Sequence, residues 1–177
     1  VDENIPVESL LKDPVELVRS WKQRRNTQIP LSANLYGKER KNSKGIDLTE
    51  VDAITPLRNN MQQWLTTATS STPIEGAKAV RNPANHAQVI GYVEHHTPEQ
   101  MKAAIDRAEA AFPTWSTTPV AERARLLRAL ADALEAHRDE LMAICVKEAG
   151  KTVPDSVAEI REAVDFCRYY AARAEAM

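Results

Sequence analysis

Helical periodicity over the second half of the chain is the feature that most constrains its fold. Thr97, Pro98 and Gln100 have the spacing of a capping box and predict the start of a helix. Apolar residues then recur on one helical face as far as Phe112, and we expect Pro113 to end the helix.

Two longer helical patterns follow. One covers residues 120–149, and Gly150 is placed to end it in the left-handed conformation. The other begins near Pro154 and continues to the last residue. We expect a buried stripe on each helix, formed by Leu127, Leu130, Leu134, Leu141 and Cys145 on the first and by Val157, Ile160, Val164, Cys167 and Ala171 on the second.

The first half of the chain has shorter patterns. A helix is expected over residues 14–25, capped by Asp13, and another over residues 56–67. Between them, residues 26–52 show no sustained period, and we interpret them as a connector that lies on a surface. The Thr/Ser-rich stretch 66–72 predicts a loop.

One segment changes from a helical period to a strand period. Residues 78–81 and 88–93 are short β-type runs, and the turn residues 82–86 lie between them. This arrangement predicts a hairpin. The fold class of the chain is therefore mainly α with one β-hairpin.

Composition argues against several kinds of partner. Lys and Arg number 23 and Asp and Glu number 25, so the formal net charge of −2 gives no electrostatic signal for nucleic acid. No apolar run approaches the ~18 residues of a transmembrane segment. Two cysteines form no disulfide framework, which fits a reducing compartment, and we expect a cytoplasmic protein. Because the chain begins with Val and ends within a helical pattern, we interpret it as a piece of a longer protein.

Residue chemistry alone predicts no catalytic centre. The five glycines are too scattered for a nucleotide-binding loop, and the four histidines lack the spacing of a metal site or the partners of a general base. Cys145 and Cys167 fall on apolar stripes, so we interpret them as small core residues rather than nucleophiles. On spacing alone, the acidic residues of the last helix form a solvated flank: Glu159, Glu162 and Asp165.

The hairpin and the helices after it resemble the opening of the aldehyde dehydrogenase superfamily. The resemblance lies in VRNPA (80–84), VIGYV (89–93), AEAAFPTW (108–115), PVAERA (119–124) and EAGKT (148–152). EIREAVDFCRYYA (159–171) is similar to the branch that oxidises L-glutamate γ-semialdehyde.

Upstream segments extend the resemblance. Residues 5–7 and 13–15 resemble the end of a bacterial proline dehydrogenase barrel, and LYGKERKNSKG (35–45) resembles the connector that follows it. In this order the segments resemble the bifunctional proline utilization A family. The resemblance implies that residues 1–25 end a proline dehydrogenase region, 26–73 form an inter-domain connector with a helix, and 74–177 begin an aldehyde dehydrogenase domain.

The resemblance implies a parent enzyme with two activities. One domain oxidises proline with FAD, and the other oxidises L-glutamate γ-semialdehyde to glutamate with NAD. The second domain would be a doubly wound α/β fold with a parallel sheet, and the parent would be a homo-oligomer. The nucleophilic Cys, the oxyanion-stabilising Asn and the Glu of the family mechanism would lie after Met177, and the FAD contacts before Val1. We therefore expect no catalytic, cofactor-binding or metal-binding residue in this chain, and no activity of the chain alone.

Glu162 is the one candidate site residue. By resemblance it matches a glutamate near the α-amino group of the semialdehyde. A carboxylate there would attract the ammonium group and select an amino-acid aldehyde over an apolar one. The helices of the isolated chain would also lack part of the surface that they pack against, so we expect an exposed apolar patch and self-association or poorly cooperative folding.

Two other interpretations stay open. The chain could derive from a stand-alone aldehyde dehydrogenase with an unusual N-terminal extension, although the connector at residues 35–45 favours the bifunctional form. It could instead be a helical scaffold or adaptor that keeps only the N-terminal layer of the dehydrogenase and binds a protein partner. The adaptor interpretation predicts stable folding of the chain alone.

Overall fold

The computed structural model describes residues 4–23, 25–66, 73 and 75–177. The chain divides into two compact units, Val1–Leu31 and Ser32–Met177. All of the predicted loop after Thr66 lies outside the described residues, as does the expected boundary at residue 74.

The first unit contains two short helices, α1 (Val7–Leu10) and α2 (Pro14–Ser20). Asp13 caps α2 as predicted, since its carboxylate accepts a hydrogen bond from the backbone N–H of Val15 at 2.8 Å. Helix α2 ends at Ser20, five residues before the predicted end, and the next residue, Trp21, has an extended backbone with ψ of 125°. Neither helix has a buried residue, so neither presents the buried apolar face that would stabilise further helical turns.

The second unit begins with a short 3₁₀ turn, Ser32–Asn34, and the helix α3, Val51–Thr66. Helix α3 starts one turn earlier than predicted, and Pro56 lies inside it rather than at its start. The N–H groups of Ala53 and Ile54 already bond to the carbonyl of Glu50, at 3.1 and 3.0 Å. The first turn therefore forms before the proline, which removes only one later hydrogen bond.

Helix α4 (Pro98–Thr117) confirms the predicted capping box. The Thr97 hydroxyl accepts from the Gln100 N–H at 3.3 Å, and the Gln100 side chain accepts from the Thr97 N–H at 2.8 Å. The prediction that Pro113 ends this helix is wrong, since the helix continues to Thr117. Every residue of the C-terminal turns before Thr118 is exposed, so water can solvate the carbonyl that the proline leaves without a donor.

The single helix predicted over residues 120–149 is two helices, α5 (Val120–Ala136) and α6 (Arg138–Ala149). His137 separates them, with φ of −98° and ψ of 17°. The break redirects the chain, so that α5 packs chiefly on α7 (Val153–Ala176), whereas α6 contacts both α3 and α7. Gly150 ends α6 in the left-handed conformation as predicted, with φ of 68°.

The predicted hairpin is present as β1 (Lys78–Asn82) and β2 (Asn85–Val93), which pair antiparallel. The turn between them is shorter than predicted, because Asn82 and Asn85 still belong to the strands. The Asn82 side chain stabilises the turn by accepting a hydrogen bond from the Ala84 N–H at 2.9 Å. Within the described residues the second unit is thus mainly helical with one hairpin, which confirms the predicted fold class.

The core lies where α3, α5, α6 and α7 meet, and its buried residues are Leu57, Met61, Ala131, Met142, Ala143, Ile160 and Val164. The predicted stripe of α7 is confirmed, with Val157 and Cys167 half-buried at the edge of the core. The leucine stripe predicted for α5 is wrong at Leu130, which is 50% exposed. Small alanines at 124 and 131 form the buried face instead and allow α5 to approach α7 closely.

Candidate substrate-binding helix

The position of Glu162 is set by α7. Thr152 caps this helix by accepting a hydrogen bond from the Asp155 N–H at 3.3 Å, and the buried stripe with Ile160 and Val164 holds one face against the core. Glu162 lies on a different face and is exposed. Within the described residues its carboxylate has no hydrogen bond or ion pair, so it is free to receive a cation from outside the chain.

Aromatic side chains follow Glu162 along the same helix. Phe166, one turn further on, is 49% exposed, and its ring centroid lies 6.0 Å from that of Tyr170. The ring of Tyr169 contacts Tyr170 edge-on at 5.3 Å. An unpaired carboxylate followed by exposed aromatic faces offers two favourable partners for an ammonium group.

Asp165, on the adjacent flank of α7, is bound by other parts of the chain, contrary to the spacing argument. Asp165 accepts three hydrogen bonds from the connector, residues 26–52. The donors are Arg40 Nη1 at 3.0 Å, the Ser43 N–H at 3.0 Å and the Ser43 hydroxyl at 2.7 Å. Arg161 donates to the same Ser43 hydroxyl at 3.2 Å. The interpretation of a solvated flank fits Glu159, which is exposed and pairs with Lys151, and is wrong for Asp165.

Arg168 extends this contact toward α5. Its guanidinium donates to Glu135 at 3.0 Å, to Asp132 at 2.9 Å and to the carbonyl of Asn42 at 3.4 Å. Burial alone would lower the pKa of Arg168, but the hydrogen bonds to Glu135 and Asp132 outweigh it and raise the pKa. Glu135 also accepts from the Lys44 N–H at 2.9 Å, so the guanidinium and the connector share one carboxylate.

We call the residues that make these contacts the connector clamp: Arg40, Asn42, Ser43 and Lys44 on the connector, with Glu135, Arg161, Asp165 and Arg168 on the helices. Asn42 and Ser43 are buried, at 8% and 3% exposure, so the prediction that the whole connector lies on a surface is wrong at this point. The sequence signal that could have revealed it is the 161, 165, 168 spacing, which places three charges on one face of a helix.

Neither cysteine has the environment of a nucleophile. Burial, followed by the negative charge of Glu159, raises the pKa of the Cys145 thiol. Burial also raises the pKa of the Cys167 thiol, and the charge of Arg168 only partly opposes it. Both thiols are therefore protonated at neutral pH, whereas a catalytic cysteine requires the thiolate.

No metal site or cofactor cradle is evident in the part of the chain that the structure describes. There are no groups of three metal-ligating side chains there, and no helix long and apolar enough to cross a membrane. The glycines with positive φ, at 37, 76 and 150, lie on separate segments and form no phosphate-binding loop. His137 contacts Glu140 at 3.1 Å, a partner that the sequence did not predict, but the ring is exposed and faces no nucleophile among the described residues.

Comparison with known proteins identifies the family. Residues 69–177 match the aldehyde dehydrogenase family. The bifunctional protein PutA of Escherichia coli K12 is 36% identical in an alignment of 183 positions, gaps included, that covers 96% of this chain and 14% of that protein. The 1-pyrroline-5-carboxylate dehydrogenase of Bacillus licheniformis is 40% identical over 90 residues, which cover 51% of this chain and 17% of that enzyme.

A solved structure agrees with this assignment. Proline utilization A (PutA) from Bdellovibrio bacteriovorus, inactivated by N-propargylglycine, superposes with a TM-score of 0.74 at 28% identity, over 98% of this chain and 18% of that one. The chain thus spans less than a fifth of the length of each of these relatives. It belongs to the aldehyde dehydrogenase family, and along nearly its whole length it is similar to the bifunctional proline utilization A proteins.

Proposed function

We propose that this chain is part of a longer bifunctional enzyme that oxidises proline with FAD and then oxidises L-glutamate γ-semialdehyde to glutamate with NAD. The observation that carries the proposal is the extent of the similarity. The bifunctional relative matches 96% of the chain, including the connector, whereas the match to a 1-pyrroline-5-carboxylate dehydrogenase covers 51%. In this proposal residues 1–25 end the proline dehydrogenase region, 26–73 connect the domains, and 74–177 begin the dehydrogenase domain.

The proposed role of this chain in the second oxidation is substrate selection by Glu162. The semialdehyde carries an α-ammonium group that a simple aldehyde lacks. Because Glu162 is exposed and has no competing cation among the described residues, it can bind that ammonium without first breaking an ion pair. The neighbouring ring of Phe166, 49% exposed, supplies an aromatic face on the same side.

The proposal assigns no chemical step to this chain. We propose that the reactive groups of both oxidations belong to other parts of the longer enzyme, and the raised pKa values of Cys145 and Cys167 support this for the nucleophile. We accordingly propose that the 177-residue chain alone has no dehydrogenase activity. Stable, monomeric folding of this chain alone would instead favour a scaffold or adaptor.

The test is a Glu162→Gln substitution in the full-length protein, with NADH formation as the measurement. A charge-assisted hydrogen bond contributes about 1.5–3 kcal/mol, so we expect KM for L-glutamate γ-semialdehyde to rise about 10- to 100-fold. KM for pentanal, which has the same chain length and no ammonium, should stay unchanged.

A matched control is Glu159→Gln, which removes a carboxylate from the same helix one turn earlier. Glu159 is exposed and pairs with Lys151, so we expect no change in KM for either aldehyde. Equal effects of Glu162→Gln on both aldehydes would contradict substrate selection by Glu162. A full-length protein that oxidises neither proline nor the semialdehyde would overturn the proposal as a whole.

A further inference from the structure

The connector clamp lies immediately beside the candidate substrate-binding residue. Asp165 is three positions after Glu162 on α7, and Arg161 is one position before it. On a helix, side chains three or four positions apart are about 5–6 Å apart at Cβ. The connector therefore contacts α7 within one turn of the carboxylate that is proposed to select the substrate.

Directional contacts at this point restrain small rotations of α7 about its axis. The buried stripe sets which face of α7 meets the core, but apolar packing lacks the angular preference of a hydrogen bond. The clamp adds hydrogen bonds of 2.7–3.0 Å from Ser43 and Arg40 to Asp165, and these require one orientation of the helix. A small rotation of α7 would lengthen all of them and would move Glu162 sideways.

The connector has little freedom to follow such a movement. Ser43 is 3% exposed, and its backbone and hydroxyl both bind Asp165. The next residue, Lys44, binds Glu135 on α5 through its N–H at 2.9 Å. The Arg161 guanidinium also lies close to Gly45, where an added Cβ would be 3.7 Å from it. The connector is thus bound to two helices at once.

We propose that Asp165 is a positioning residue for substrate recognition, through which the connector holds Glu162 in the orientation that binds the α-ammonium group of the semialdehyde. This inference rests on the proposed function. It assigns to the connector a part in the second oxidation beyond joining two regions of the chain. Asp165 acts through Glu162 and makes no contact with the substrate itself.

The test is a double-mutant cycle in the full-length protein with Glu162→Gln and Asp165→Asn. The measured quantity is the ratio of KM for L-glutamate γ-semialdehyde to KM for pentanal. Asp165→Asn alone should raise the ratio about three- to tenfold, and kcat for pentanal should stay unchanged. In the Glu162→Gln background the same substitution should leave the ratio unchanged, because the residue that it positions no longer carries a charge.

Two further variants keep the test decisive. Ser43→Ala removes the hydroxyl at 2.7 Å from Asp165 with a small truncation on the connector side, and should raise the ratio in the same direction even where Asp165→Asn impairs folding. Glu175→Gln removes another carboxylate from α7, one that pairs with Arg128 far from Glu162, and should leave the ratio unchanged.

The outcomes separate the inference from the proposed function. If Glu162→Gln raises the ratio and neither Asp165→Asn nor Ser43→Ala does so, the positioning role is overturned and the substrate role of Glu162 stands. If Asp165→Asn changes the ratio equally with and without Glu162, its effect is merely structural and the inference is overturned. If Glu162→Gln itself leaves the ratio unchanged, the proposed substrate role of Glu162 is overturned, and the positioning role of Asp165, which rests on it, is overturned with it.

Discussion

Replacing Arg168 with Met tests how strongly the connector clamp is held. The Arg168 side chain is 9% exposed, and its guanidinium donates to two carboxylates and to the carbonyl of Asn42. Met keeps an unbranched apolar chain in the same space and removes the charge and all of these donors. The substitution therefore isolates the polar contribution of Arg168 from its packing.

The expected magnitude follows from the burial of the two carboxylates. Asp132 is 74% exposed, so water replaces the guanidinium there at little cost. Glu135 is 11% exposed and would keep only its contacts with Lys44, whose own side chain is 75% exposed. Leaving one buried carboxylate without its cation costs about 3 kcal/mol, or about a hundredfold in the equilibrium for local opening.

Hydrogen exchange of the full-length protein, followed by mass spectrometry, measures this opening directly. The amides of Ser43 and Lys44 are hydrogen-bonded to carboxylates of the clamp, so they report on it. In Arg168→Met we expect exchange over residues 40–48 to accelerate about a hundredfold, with little change in the hairpin.

The control is Arg128→Met, which breaks the more exposed pair with Glu175. Surface pairs contribute about 0–1 kcal/mol, so exchange over residues 40–48 should accelerate by about fivefold or less. Equal acceleration in Arg168→Met and Arg128→Met would refute the reasoning. Equal acceleration in the connector and the hairpin of Arg168→Met would do the same, because it would indicate loss of the whole fold rather than of the clamp.

The clamp should also loosen in acid. Burial opposes ionisation of Glu135 most strongly, but hydrogen bonds from Arg168 and Lys44 and their charges together outweigh it, so its pKa is below the usual 4.5. A carboxyl with a lowered pKa in the folded state contributes stability above its unfolded pKa and loses it as the pH falls through the folded value. After correction for intrinsic rates, protection of residues 40–48 should be constant above about pH 5 and should fall below pH 4.5.

Three further results are expected. Gly150→Ala should destabilise the full-length protein by about 1–2 kcal/mol, measured as a lower Tm, because φ is +68° and the new Cβ would lie 3.0 Å from Pro83. Gly91→Ala is the control: it has open space around it and should lower Tm less. The isolated 177-residue chain should self-associate in sedimentation, because the apolar face of α4 is exposed; a sharp melt of a monomer at all concentrations would contradict this. Cys145 and Cys167 should react slowly with iodoacetamide at pH 7 in the full-length protein, since both thiols have raised pKa values, and rapid alkylation of either would refute the assignment.

Features that depend on neighbouring residues in the chain were predictable from the sequence. The capping box at Thr97 and the left-handed Gly150 are local, because each satisfies backbone groups of its own helix end. The hairpin was equally predictable, since the side chain of Asn82 bonds two residues ahead.

Features that depend on packing were not predictable. The sequence periodicity continues through His137, but the helix breaks there because α6 turns toward α3. At that contact Asn60 of α3 donates a hydrogen bond to Asp139 at 2.8 Å. Periodicity predicts Leu130 in the core because it identifies an apolar face, but it does not reveal that small alanines give closer helix packing. The proline at 113 predicts a helix end, but in an exposed helix water can solvate the carbonyl that a proline leaves free.

The candidate site shows, within a single helix, the same difference between features that the sequence predicts and features that depend on distant contacts. Glu162 and Asp165 are both acidic and three positions apart, and the sequence alone gives them the same solvated role. The structure separates them, because the connector reaches Asp165 from more than a hundred residues away and leaves Glu162 exposed. A carboxylate that the protein already binds can hold the helix but cannot receive a substrate, whereas its unbound neighbour can. The division of roles between positioning and recognition therefore follows from which carboxylate the connector occupies.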